Sequence, residues 1–301
     1  MSPSQWLLLV FLSVLWGGSF FFVGVAVHEV PALTLVFFRV AIAAAALYLL
    51  VRVLGHELPR GAKAWQPFVV MAILNNIIPF LMITIGQKQI ASGLASVLNA
   101  TTPLWTVVIA HLFTSDEKLT VNRAIGVVVG VCGVAVLIGP KALTGEVSSL
   151  FGMLCVIAAT ISYGFAGLWG RRLKGTTPLV TATCQLVASS LLLLPVAVIV
   201  DRSWALPLPS AVVLLSIVGL ALLSTALAYI VFFQIMQVSG PTNVMLVTLL
   251  IPISAVLLGT FILDERLSLQ QFVGAAVIGS ALLIFDGRLL ARLRRSRDVT
   301  P

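Results

Sequence analysis

Arg39 is the only charged residue well inside a long apolar run of this sequence. A guanidinium in such a place offers paired hydrogen bonds to a carboxylate and would serve as counter-charge for a bound solute. It lies about seven residues from the end of its run, roughly 10 Å at 1.5 Å per residue, so it is also within snorkelling reach of that end. Amides form the next set. Asn75 and Pro79 stand one turn apart, with Asn76 beside them. Ser92, Ser96, Asn99, Pro103 and Thr106 recur at spacings of four and three, which puts them on one face of a continuous helix. Asn243, Thr248 and Pro252 occupy a later run. Pro79, Pro103 and Pro252 each remove a backbone donor inside a run, free a carbonyl and kink the helix. Trp16 and Tyr163 sit midway along their runs, and Tyr229 and Phe232 share a face three residues apart. Trp16, Asn75, Asn76, Pro79, Asn99, Tyr163, Tyr229 and Phe232 are therefore the candidates for binding a solute, set against the plain alternative of interhelical packing.

No Asp or Glu falls in the central part of any run, so the expected cavity is largely uncharged and suited to neutral or zwitterionic solutes, with transport facilitated or only weakly coupled to protons. The other titratable groups, His111, Glu117, Glu265 and Asp286, read as helix-end residues. Cys132, Cys155 and Cys184 lie in apolar runs and read as small core residues, with no metal framework and no cofactor implied.

The elements that position these residues follow from composition. Of the 301 residues, 60% are hydrophobic and 9% charged, against about 25% charged in an ordinary soluble domain. Too few polar side chains exist to cover a soluble surface. Ten apolar runs stand at about 5–27, 32–52, 66–86, 91–113, 121–139, 150–171, 179–200, 209–236, 241–262 and 269–287. Each approaches the ~20 residues that cross a bilayer. Lipid supplies no backbone partners, so each must be a helix. The fold expected is all-α and integral to the membrane. With both termini cytoplasmic, only Lys88, Lys141, Arg202 and Arg266 fall outside, Arg39 falls within a span, and the remaining 13 of 18 Lys and Arg fall inside. That bias selects the orientation. The net charge of +8 marks topology rather than a nucleic-acid face, and residues 288–301 form a basic tail suited to anionic lipid. Trp6, Trp65 and Trp204 fit interfacial anchors.

The chain also repeats itself. At an offset of 147, Trp16-Gly17 meets Tyr163-Gly164, Pro31 meets Pro178, Gln87 meets Gln234, and Ser92-Gly93 meets Ser239-Gly240. At an offset of 148, Asp116-Glu117-Lys118-Leu119 meets Asp264-Glu265-Arg266-Leu267, and Gly126 meets Gly274. Five spans per repeat is odd, so the second copy must enter the membrane upside down. Residues 1–140 and 150–287 are the expected repeat units. Inverted repeats around a midplane site are the plan of many secondary transporters.

The W-G-G-S-F of residues 16–20, the F-R of Phe38-Arg39, and an acidic turn with a glycine-bearing last helix in each half resemble the drug/metabolite transporter superfamily, in particular proteins with two EamA-type halves. The resemblance covers essentially the whole chain. It implies ten helices and export of small metabolites, amino acids foremost, with no enzymatic activity. The halves differ where Tyr163 stands for Trp16 and Leu186 for Arg39. An intramembrane enzyme would need H-E-x-x-H or paired intramembrane Asp, and neither occurs. The alternative is a transporter of another metabolite or drug class; a channel or non-transporting scaffold ranks below it, since a channel would show charged rings or a carbonyl-lined filter and neither is visible. Gly126 and Gly130 in one span, and Gly274 and Gly279 in another, suit close helix packing, including a contact between copies in a homo-oligomer. The short termini suit a bacterial inner membrane, and lipid is the surrounding partner.

Overall fold

A computed structural model describes residues 2–115, 119–138, 147–173, 175–239 and 246–286, and every regular element among them is helical. Eight described segments are long and apolar enough to cross a membrane: Pro3–Ala26, Ala32–Val53, Ala62–Gly86, Ser92–Phe113, Val121–Ile138, Ser149–Leu173, Pro178–Asp201 and Ala211–Ser239. Two shorter apolar helices follow, Val247–Ile262 and Leu269–Ile284. Large apolar side chains such as Leu7, Leu49, Leu112, Ile199 and Leu215 project outward, as a lipid-facing surface requires.

The helices begin where local chemistry satisfies their free N–H groups. Ser2 and Gln5 cap each other around Pro3 at the start of α1, Pro3–Ala26. Helix α2 spans Ala32–Val53. The third segment is composite: α3 (Ala62–Ala72), a π turn over Ile73–Ile77, and α4 (Ile78–Gly86). The fourth consists of α5 (Ser92–Asn99) and α6 (Thr102–Phe113). Then come α7 (Val121–Ile138), α8 (Val147–Gly170) and α9 (Pro178–Asp201). The next segment again carries a π turn, Leu222–Leu227, between α10 (Ala211–Ala221) and α11 (Ala228–Ser239). Helices α12 (Val247–Ile262) and α13 (Leu269–Asp286) complete the described chain.

The break between α5 and α6 departs from the continuous helix that the spacing of polar residues predicts. Pro103 has no N–H to give, and Thr101 and Thr102 direct their hydroxyls to the carbonyls of Leu98 and Asn99, both at 2.7 Å. The hydroxyls stabilise an interruption that proline alone would leave unsatisfied. The stripe is therefore divided: Ser92, Ser96 and Asn99 belong to α5, and Pro103 and Thr106 to α6. Pro79 lies in the first turn of α4, just after a π turn, and Pro252 lies within α12.

Glycines set the crossings. A Cβ on Gly17 of α1 would overlap the Ser254 hydroxyl and stand 2.9 Å from the Ala255 nitrogen of α12. The repeat-equivalent Gly164 of α8 would stand 3.3 Å from the Thr106 nitrogen of α6. Helices α7 and α13 pack along each other: a Cβ on Gly133 would stand 2.9 Å from the Ile278 nitrogen, and one on Gly274 would stand 2.7 Å from the Leu137 nitrogen. Gly133 and Gly274 thus serve this crossing within the chain.

The sequence halves interleave. Helix α8 packs on α3–α6, and α9 on α3 and its π turn, which makes one group of four spans. Helix α1 packs on α10–α12, and α2 on α10 and its π turn, which makes the other. The groups meet along α2 and α9 and where α5 crosses α12. Residues 27–31, 87–92, 201–210 and 263–268 gather at one end of the bundle, where Glu29 meets Ser210, Asp201 meets Thr34 and Glu265 meets Ser92. At another end, residues 56–59 and 175–177 line a cavity of 300 Å³.

Candidate functional site

The π turns place the polar residues. In a π turn one extra residue enters the helical ring, which leaves a carbonyl free and widens the helix locally. The Ser162 hydroxyl of α8 caps the Leu74 carbonyl at 2.7 Å, and Thr225 caps the Leu220 carbonyl of its own helix at 2.8 Å. With these carbonyls satisfied, Asn75 and Asn76 both turn into the bundle.

Asn75 Nδ2 donates to Gln185 Oε1 of α9 at 3.2 Å and to the Tyr229 hydroxyl of α11 at 3.1 Å. Asn76 Nδ2 donates to Ser189 Oγ at 3.0 Å, and the Tyr229 hydroxyl donates to Asn76 Oδ1 at 3.3 Å. The network spans both groups of helices, because Tyr229 belongs to one and Asn75, Asn76, Gln185 and Ser189 to the other. In an apolar interior such bonds are strong when made and costly when broken.

Arg39 stands beside this network. It is 6% exposed, so its guanidinium turns inward rather than snorkelling to an edge. Its Nε donates to Thr225 Oγ1 at 3.1 Å, and its Cζ lies 3.5 Å from the Phe80 ring centre. Among the described residues no carboxylate pairs with it. A buried cation without a counter-ion costs several kcal/mol. The aromatic face offsets part of that cost, and the terminal guanidinium nitrogens remain available to an anionic group.

Trp16 packs against Phe232 with ring centres 5.4 Å apart, and Phe232 continues through Phe233 to Tyr229. The Trp16 ring is half-buried, as are Tyr163 and Tyr229. Neither the Trp16 indole N–H nor the Tyr163 hydroxyl has a hydrogen-bond partner among the described residues. This aromatic wall lies along the same junction between the two groups of spans.

The structure thus brings Asn75, Asn76 and Tyr229 into one network, sets Arg39 against it, and joins Trp16 to Phe232. Pro79 is buried beside Phe80. Asn99 stands at the end of α5, its buried Oδ1 without a hydrogen-bond partner among the described residues. Pro103 lies in the first turn of α6, directly after the break that follows α5, and Asn243, Asp116, Glu117 and the basic tail lie outside the described residues. His111 accepts from the Leu119 backbone N–H at 3.3 Å. Gln185, Ser189, Thr225 and Phe80 were not singled out by sequence reasoning. The signal for Gln185 was the one used for Asn75, a lone amide in an apolar run. No group of His, Cys, Asp and Glu among the described residues is arranged to hold a metal ion.

The sequence pattern of the EamA-like transporter family matches residues 4–139 and 150–285. An uncharacterized transporter of Bacillus subtilis (strain 168), YoaV, is 26% identical over 90% of this chain and 92% of its own. The uncharacterized inner membrane transporter YedA of Escherichia coli (strain K12) is 25% identical over 91% of this chain and 87% of its own. A probable amino-acid metabolite efflux pump of the same strain is also 25% identical, over 94% and 95%. A solved structure, described only as the crystal structure of a protein, is similar at a TM-score of 0.67 and 18% identity, over 95% of this chain and 98% of its own. That likeness concerns the fold alone.

Proposed function

We propose that this chain, which belongs to the EamA-like transporter family, exports small zwitterionic metabolites, amino acids foremost, by alternating access around a midplane site. The observation that carries the reading is Arg39: a buried guanidinium with no carboxylate partner among the described residues, at the junction between two groups of helices. A solute carboxylate supplies the missing counter-charge by paired hydrogen bonds. Asn75, Asn76 and Tyr229 offer polar groups to the rest of a small zwitterion, and Trp16, Phe232 and Tyr163 enclose its apolar part. The similarity to a probable amino-acid metabolite efflux pump agrees with this choice of solute.

The reading takes the eight long segments and the two shorter apolar helices as ten spans, in two inverted repeats of residues 1–140 and 150–287. The excess of Lys and Arg sets both termini in the cytoplasm. It follows that the end of the bundle bearing residues 27–31, 87–92, 201–210 and 263–268 faces outward. The membrane is the inner membrane of a bacterium, as for the inner membrane transporter of Escherichia coli among its relatives.

A ligand-stabilisation screen on purified protein tests the substrate class, since a bound solute raises the melting temperature by mass action. Amino acids with a free carboxylate are expected to stabilise the protein, and their amides are not. Equal stabilisation by acid and amide, or by cationic drugs alone, would move the substrate to another class.

A further inference from the structure

Two side-chain carboxylates tie the two groups of spans together at one end of the bundle. Glu265, between α12 and α13, accepts from the Ser92 N–H at 2.8 Å, the Ser92 hydroxyl at 2.7 Å and the Gly93 N–H at 3.1 Å. It caps the first turn of α5, where free N–H groups and the helix dipole favour an anion. Asp201, at the end of α9, accepts from the Thr34 N–H and hydroxyl, both at 2.8 Å, in the first turn of α2. Each clasp joins a helix of one group to a helix of the other. A third carboxylate, Glu29, accepts from the Ser210 N–H and hydroxyl at 2.8 and 2.9 Å, but α1, α2 and α10 all belong to one group.

The backbone is shaped for the two crossing clasps. Among the described residues, only Arg202 (φ 49°) and Asp264 (φ 54°) are non-glycine residues with a left-handed backbone. That conformation is uncommon for residues with a side chain and marks a position held by its surroundings. Arg202 follows Asp201, and Asp264 precedes Glu265. The Glu265 N–H also donates to the Gly259 carbonyl at 3.0 Å, which ends α12 against the clasp. Beneath the clasp the helices touch at backbone level: a Cβ on Gly93 would stand 3.4 Å from the Val256 Cα. A 220 Å³ cavity lined by Gly24, His28, Gln87 and Glu265 opens just beside this seal.

We propose that the Glu265 and Asp201 clasps form the outer gate: they hold the two four-span groups together at the outer end, and they must part for the site to open outward. The proposal rests on the alternating-access reading and adds the residues that govern one side of it. Charge is what makes the clasps strong, because hydrogen bonds to a carboxylate are roughly twice as strong as neutral ones. Glu265→Gln and Asp201→Asn keep size and one acceptor but lose the charge.

The test uses the full chain in liposomes without solute, with Cys132, Cys155 and Cys184 replaced by Ala and spin labels at Lys88→Cys and Arg266→Cys. These exposed positions flank the Glu265 clasp from opposite groups. Pulsed electron–electron distance measurement is expected to give one short, narrow distribution in the parent. In E265Q and in D201N a longer-distance population should rise about tenfold. E29Q should match the parent, since its clasp lies within one group. Ser92→Ala, which removes a single donor, should give a smaller shift and serves if E265Q does not fold. Unchanged distances in folded E265Q and D201N, or the same opening in E29Q, overturn the proposal. Because no solute is present, a failure of the amino-acid reading leaves this result standing, and the reverse holds as well.

Discussion

Arg39 concentrates the chemistry of the site in one side chain. Its planar guanidinium lies on Phe80 and bonds Thr225 through Nε, so its other nitrogens are held in a fixed direction. Lysine carries the same charge but neither the plane nor the fork. Arg39→Lys is expected to lower transport kcat/KM by about tenfold or more, the scale of one lost charge-assisted pair, with expression unchanged. Counterflow of labelled amino acid in proteoliposomes measures it, and parental kinetics would remove Arg39 from the site. Asn99→Leu is expected to abolish or reshape transport with near-normal folding, because Asn99 Oδ1 has no hydrogen-bond partner among the described residues. Normal kinetics there would confine binding to the Asn75 network. Residue types were legible in the sequence, since a charge or amide in an apolar run is conspicuous. Their pairing was not: the partners of Asn75 lie 110 and 154 positions away, and hydropathy carries no record of which helix faces which. Arg39 stood within reach of both an edge and the interior, and only the side-chain direction decides between them.

Elements do two kinds of work here, crossing closely and breaking where a polar group must face inward. Gly17 marks the first. Gly17→Ala drives a methyl group into the Ser254 hydroxyl and the Ala255 nitrogen, so overpacking is expected to cost about 1–3 kcal/mol, seen as a lower melting temperature in detergent. Gly279→Ala is the control, for nothing lies within 4 Å of its new Cβ. Its stability should be equal or slightly higher, by about 0.5–1 kcal/mol. Equal melting of both variants would contradict the α1–α12 crossing. The long apolar spans could be read directly, because a bilayer fixes their length. The π turns at Ile73–Ile77 and Leu222–Leu227 could not: a single inserted residue barely changes a hydropathy pattern, and the hydroxyl that stabilises the first comes from a distant helix, as Ser162. The α5–α6 break was half legible. Pro103 announced a disturbance, but its resolution depends on Thr101 and Thr102 hydroxyls turning to the backbone rather than to a solute.

At the scale of the whole molecule, the repeats are not the parts that pack as bodies. Helices of the first half interleave with helices of the second, so the junction that holds Arg39 and Tyr229 runs between composite groups. Sequence repetition reveals the duplication and stays silent on the interleaving. Glu265 was visible in the sequence only as a helix-end acid, and Glu29 and Asp201 did not stand out at all; the partners of all three lie on distant helices. The proposed zwitterion site sets Arg39 beside the neutral groups of Asn75, Asn76 and Tyr229, and the coupling expected of it is weak. Collapsing the pH gradient across proteoliposomes is expected to slow amino-acid flux without stopping it; complete arrest would require a proton-carrying group in the cycle. The central claim is the inverted duplication, and sided labelling tests it most directly. Lys118 and Arg266 occupy equivalent places in the two repeats. With single cysteines at these positions, a membrane-impermeant thiol reagent applied to intact cells should modify Arg266→Cys and reach Lys118→Cys only after permeabilisation. Labelling of both from the same side would contradict the account.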